Sequence, residues 1–251
     1  MGITEGSSED AAAAQDNHLA NEIARAQKAN PGATGKDPLY SLNKDEALRL
    51  CSLYEDEVGV MNPILDIQDV KGHASVMYTL LDAAARVLGT NHHPTDGIHD
   101  EGTDVLRLVL AIALVLEGTG QSELGTRLFE SVNTAKNYRQ VESPTLKDIQ
   151  IVILMSIYHF HVDNEDLAWR IIGLAARLSL ELGLHRIETY EKHFPDEPIR
   201  SRALEVFWSM YVLDRRWSYG TGRGFALQET DFLQSLPRPV SHEIASAEDL
   251  C

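Results

Sequence analysis

Cysteine is almost missing from this chain: there are two among 251 residues, Cys51 and Cys251, 200 positions apart. Two thiols exclude a disulfide framework and any four-cysteine zinc module, and isolated thiols suit a reducing compartment. Positive charge is scarce too. Lys and Arg number 22 against 38 Asp and Glu, a formal charge of −16. An acidic body repels phosphate backbones, so these residues are not expected to bind nucleic acid by themselves. No hydrophobic run is long. The most apolar stretch, Val105 to Leu116, has 12 residues and contains Arg107; a bilayer span needs about 20, so this predicts a buried helix. Met1 to Ala14 has neither a cationic start nor an apolar core, so no export signal is visible. These absences predict a soluble, intracellular protein.

Strict apolar–polar alternation is also lacking, which excludes ordinary half-buried strands. What is there is helical periodicity. A hydrophobic fraction of 43% is near the globular norm and excludes wholesale disorder. Residues 1–37, poor in large apolar side chains, read as mostly disordered, a linker or an end left by truncation, 38–240 as the folded domain and 241–251 as a tail. Asn43 with Glu46 caps a helix to about Val58, with Leu48, Cys51, Tyr54 and Val58 on one stripe. A second runs from about Ile67 to Leu88, with Val70, Ala74, Met77, Leu81, Ala84 and Leu88 in step and Gly89 as its stop. Thr103 is the expected cap of the apolar helix ending near Gly118. Ser122 caps the next, with Leu124, Leu128, Val132 and Ala135 on one face. Ser143-Pro144 reads as cap and first position of a helix to about Phe160.

The clearest helix follows the acidic run Asp163 to Asp166. Its stripe is Leu167, Ile171, Leu174, Leu178 and Leu182, and Gly183 ends it. Pro195 and Pro198 break the chain before a last helix from about Ile199 to Tyr219. The expected fold is all-α: about seven helices in a multi-helix domain, truncated at its C-terminus. No fixed period marks a helical repeat.

Local chemistry offers no active site. His159 and His161 lie two apart, where helical side chains diverge, so packing is favoured over a shared ion. His92, His93 and His99, with Asp96, Asp100 and Glu101, are metal-compatible types in a polar loop without fixed geometry. The Asp163–Asp166 cluster lacks the second acidic cluster a magnesium-dependent helical enzyme needs, and helix capping explains it. Gly220 to Gly224 follows a helix and lacks a Gly-Lys-Ser/Thr ending, so it is a helix stop rather than a phosphate loop. Arginine is informative: 15 Arg stand against 7 Lys, eight of them between Arg170 and Arg223. With Asp214, Glu181 and Glu205 as partners, they suggest ion pairs tying the last two long helices together.

Ordered motifs run through the same region. Ala168-Trp169-Arg170, Gly173, Ala175, Arg177 and Leu182-Gly183-Leu184-His185-Arg186 come first. Phe207-Trp208-Ser-Met-Tyr-Val-Leu-Asp214-Arg215, Gly222-Arg223 and Leu236-Pro237 follow. Together with Tyr54, Asn62-Pro63-Ile64 and Leu65 upstream, they resemble the fungal-specific transcription factor domain, the middle homology region of fungal zinc-cluster regulators. The resemblance covers about 38–240 and implies a nuclear regulatory domain of RNA polymerase II transcription, with no catalytic role. It implies contacts with transcription machinery or co-regulators and a small-molecule effector as a further class of partner. It implies no membrane and no direct nucleic-acid contact from this segment. DNA reading, zinc as cofactor and a homodimerising linker belong, by resemblance, to a six-cysteine module that two cysteines cannot form. The competing reading is a stand-alone helical ligand sensor or adaptor.

In that setting Trp169, Phe207 and Trp208 are anchors, and Gly173 implies close approach of another helix. His185 and Arg186 are placed to meet the last carbonyls of their helix. Two departures stand out. Ala203-Leu204-Glu205 replaces the usual basic residues, and Gly224 replaces proline, which predicts a looser turn.

Overall fold

The structure is a computed structural model. It describes residues 37–88, 100–132 and 143–228, with backbone alone for 84–88. All regular structure among these residues is helical. The described residues contain eight α-helices: α1 (Lys44–Tyr54), α2 (Ile67–Leu88), α3 (Glu101–Glu117), α4 (Glu123–Glu130), α5 (Leu146–His161), α6 (Glu165–Leu182), α7 (Ile187–His193) and α8 (Glu197–Thr221). A 3-10 turn, Pro38–Ser41, precedes α1, and one wide π turn, Glu55–Gly59, extends it. None of the described helices is long and apolar enough to cross a membrane.

The two most apolar helices form the centre. In α3 burial runs unbroken from Thr103 to Ala113, and in α5 from Asp148 to Tyr158. A helix apolar on every side must be surrounded, and these two are. They pack on each other; α1, α2 and α4 cover α3, while α6 and α8 cover α5. Arg107, which interrupts the apolar run of α3, is 1% exposed and ion-paired.

Helix ends decide the boundaries, and several differ from expectation. Asn43 and Ser122 cap as predicted, accepting from the backbone N–H of Glu46 and Gly125. Thr103 does not cap α3: Asp100 does, at 2.8 Å from the Thr103 N–H. A carboxylate is the stronger acceptor at a helix N-terminus. Ser143 does not cap α5 either. Thr145 and Asp148 form a reciprocal capping box there. Pro198 opens α8 rather than preceding it, because proline suits the first turn, where its missing N–H costs nothing. The same helix runs on through Gly220 to a left-handed Gly222 at φ 67°. The short α7 was not foreseen.

The stripe predicted for α6 is only partly its buried face. Ile171 is buried, but the leucines are half-covered, and Ala168, Ile172, Gly173, Ala175, Ala176 and Ser179 meet the core. Small residues let α5 and α6 pack closely, and Ser156 Oγ donates to the Ala168 carbonyl across that contact at 2.5 Å. The expectations on Gly89, His92, His93, His99, Asp96, Ala135 and Leu236-Pro237, and on the side chains of Ala84 and Leu88, lie outside the described residues, as do 1–36 and 241–251.

Candidate functional site

The chain turns at Gly222 and runs back along the groove between α6 and α8. Residues 222–227 of this return form a strap without secondary structure, so its backbone groups need partners from elsewhere. Side chains of the two helices supply them. The Asp214 carboxylate accepts from the N–H groups of Ala226, at 3.1 Å, and Leu227, at 3.3 Å. Arg215 Nη2 donates to the Leu227 carbonyl at 2.8 Å, and Nη1 pairs with Asp214 at 2.9 Å. Trp169 Nε1 donates to the Gly224 carbonyl at 3.2 Å and to Ser218 Oγ at 3.1 Å, and Ser218 Oγ reaches the same carbonyl.

Charge and rings close the strap. Arg223 pairs with Asp166 on the first turn of α6 at 2.9 Å, and its guanidinium lies 4.8 Å from the Trp169 ring centre. Arg215 is sandwiched between Tyr211, at 4.4 Å, and Phe225, at 4.0 Å. The stack continues edge-on from Tyr211 to Trp208 and on to Phe207, which is fully buried. Leu227 is 2% exposed and anchors the far end. Asp214 is itself fully buried; desolvation pushes its carboxyl up, against the opposing pull of the two N–H bonds and of Arg215.

Most of the motif residues therefore converge on the strap: Trp169, Gly173, Asp214, Arg215, Gly222 and Arg223 directly, Phe207 and Trp208 through the ring stack. Contrary to the expectation from sequence, no other helix among the described residues approaches Gly173. A Cβ placed there would lie 3.9 Å from the Ala226 Cβ and 3.7 Å from Arg177 Nη1, so the strap and the Arg177 side chain cover it. Arg170 is half-buried and Arg177 exposed on α6.

Gly183, His185 and Arg186 sit at the opposite end of α6, some 14 residues and about 20 Å along the axis from Trp169. Gly183 is left-handed, at φ 81°. The last carbonyls of α6 are met by the backbone N–H groups of Gly183 and Leu184, the task sequence had assigned to His185 and Arg186. Arg186 Nε instead lies 3.0 Å from His185 Nε2. The expected ionic tie between the last two long helices is not what Arg223 makes: it lies in the strap, past the end of α8, and joins the strap to Asp166 on α6. Asp214 serves the strap and Arg215, and Glu205 pairs with Arg202 of its own helix at 2.8 Å.

Four contributors were missed: Asp166, Ser218, Phe225 and Leu227. Ser218 is one turn beyond Asp214 on the same face, and this was the available signal; a strap in coil has no periodicity to read. His159, first considered as a ligand, is edge-on to Phe129 and Tyr158, and burial pulls its imidazole down to about 4. The Gly220–Gly224 stretch is the end of α8 and the turn into the strap.

The family model described as the fungal specific transcription factor domain matches residues 104–249. The chain belongs to that family. It is 32% identical over 108 residues to the "Negative regulator of pleiotropic drug resistance STB5" of Candida glabrata, covering 42% of this chain and 11% of that protein. To "Protein STB5" of Saccharomyces cerevisiae it is 33% identical over 99 residues, 38% of this chain and 13% of the relative. To the "Uncharacterized transcriptional regulatory protein C530.08" of Schizosaccharomyces pombe it is 31% identical over 99 residues, 39% and 12%. The chain thus spans little more than a tenth of these relatives. No solved structure matches it at comparable stringency.

Proposed function

We propose that this domain is the regulatory part of a nuclear fungal regulator of RNA polymerase II transcription, and that it works through contacts with other proteins rather than with DNA. Family membership carries the reading. The charge of −16 supports it, since an acidic surface opposes a DNA backbone and leaves DNA reading to a separate basic module. The chemistry of the motif residues supports it as well. Asp214, Arg215, Trp169 and Arg223 direct polar groups to the strap backbone, to one another and to Ser218 and Asp166, which suits a rigid contact surface and not a catalyst.

The test is a reporter assay in yeast with this chain fused to a heterologous DNA-binding module. Expression should change relative to the module alone, and the isolated chain should not shift duplex DNA at physiological salt. An unchanged reporter, or tight salt-resistant DNA binding by the chain, would overturn the reading.

A further inference from the structure

The strap is held in an unusual way. Its carbonyls at Gly224 and Leu227 and its N–H groups at Ala226 and Leu227 are all taken by side chains of α6 and α8. Its largest buried side chain, Leu227, is fully enclosed, while Phe225, two residues earlier, stays 41% exposed on the Arg215 guanidinium. Ala226 between them, and Gly224 before Phe225, are small and exposed. Main-chain recognition combined with a pocket for one alternate side chain is how proteins bind extended peptides. Here the peptide is the chain's own.

We propose that the α6–α8 groove is a peptide-docking slot, self-occupied by residues 222–227, and that an extended partner segment with an aromatic–small–leucine pattern competes for it. This rests on the reading of the domain as a protein-contact module and names the kind of partner. Asp214 and Arg215 form one acceptor–donor pair that reads the N–H and carbonyl of the leucine residue. Trp169 and Ser218 read a carbonyl three residues before it. The aromatic side chain covers Arg215. Gly173 leaves room for the small residue preceding leucine, whose Cβ sits 3.9 Å from where a Gly173 Cβ would be. Because the recognised groups are backbone, the slot discriminates weakly except at the leucine and the aromatic.

A fluorescent synthetic peptide of residues 222–228 serves as probe, and anisotropy is measured on the full chain. Leu227→Ser weakens the resident strap. The peptide is expected to bind this variant about tenfold more tightly than the wild-type chain, because its own competitor is loosened. Adding Asp214→Asn should lower that affinity about tenfold, and a peptide with serine for leucine should not bind. Equal affinity for wild-type and Leu227→Ser chains, or indifference to Asp214→Asn, would overturn the slot. If Leu227→Ser loses its helical circular dichroism, Arg223→Ala replaces it: that change frees the turn and spares Asp214, Arg215 and the leucine pocket, and the same outcomes decide. The peptide assay contains no transcription step, so failure of the slot and failure of the regulatory reading are separable.

Discussion

Asp37 and Arg107 are 70 positions apart and their side chains meet at 2.7 Å in the interior. Arg107 is 1% exposed, with Asp104 at 3.4 Å on the preceding turn. The other Asp37 oxygen accepts from the Leu39 N–H and caps the 3-10 turn. One carboxylate therefore starts the described fold and neutralises a cation in its most apolar helix. Removing a partner from a buried pair leaves an uncompensated charge. Asp37→Ala should lower unfolding stability by about 1–3 kcal/mol, Asp104 limiting the loss. In a double-mutant cycle with Arg107→Met, read by urea denaturation, the two should couple by about 1 kcal/mol or more. Additive effects would mean the pair does not act as a unit.

Four helices end with the same backbone device. After α3, α5, α6 and α8, a left-handed residue is followed by a second N–H reaching back five residues: Gly120 to Val115, Asn164 to His159, Leu184 to Ser179 and Arg223 to Ser218. The left-handed positions are Thr119 at φ 51°, Asp163 at φ 57°, Gly183 and Gly222. Glycine takes this conformation freely, and a β-branched residue does not. Thr119→Asn and Asp163→Gly should each stabilise by about 0.5–1 kcal/mol. Gly183→Ala should destabilise by more, since its Cβ would also fall 2.7 Å from Thr189 Oγ1. Calorimetric Tm shifts of about 2–4 °C per kcal/mol would register each change.

The strap contacts differ in exposure, and exposure ranks their worth. Asp214 is buried and serves two N–H groups and Arg215, so Asp214→Ala should cost about 2–4 kcal/mol. Trp169→Phe keeps a ring beneath Arg223 and loses one shared donor, costing about 1 kcal/mol. Asp166 is largely exposed, and Asp166→Ala should cost under about 1 kcal/mol. Amide exchange at Ala226 and Leu227 should accelerate in that order. The reverse order would mean that the surface ion pair, rather than the buried carboxylate, holds the strap.

How much of this could be read from sequence depends on where the information lies. Helix content, the Asn43 and Ser122 caps and the Gly183 stop are local, set by residue types within one turn, and they are legible; with three glycines between 220 and 224, which one ends α8 is not. Where Asp100 and Thr103 both qualify as caps, three-dimensional competition decides, and sequence cannot rank them. Asp214 left a trace: Phe207, Met210, Asp214 and Trp217 form one buried stripe, so a carboxylate stands at a core position. That a coil 12 residues later satisfies it is a long-range fact. The strap sits in an aperiodic stretch, and motif resemblance located its residues without revealing what they hold.

Acid should find a weak point at His159. Its ring packs against Phe129 and Tyr158, and burial lowers its folded-state value to about 4, against an ordinary 6.5. The native state thus favours the neutral ring. Above about pH 6.5 the ring is neutral whether folded or unfolded, and its packing contributes in full. Between about 6.5 and 4 the unfolded chain takes up a proton that the folded chain refuses, so stability falls as pH falls through that window. The loss should be about 1–3 kcal/mol by pH 4. His161, also lowered by burial and by Arg216, adds in the same direction. His159→Phe keeps an aromatic ring in the cluster and removes the proton site. Its stability should therefore decline less than that of the wild type between pH 6.5 and 4.5 in urea titrations. Parallel declines in the two proteins would show that His159 does not contribute to the acid sensitivity.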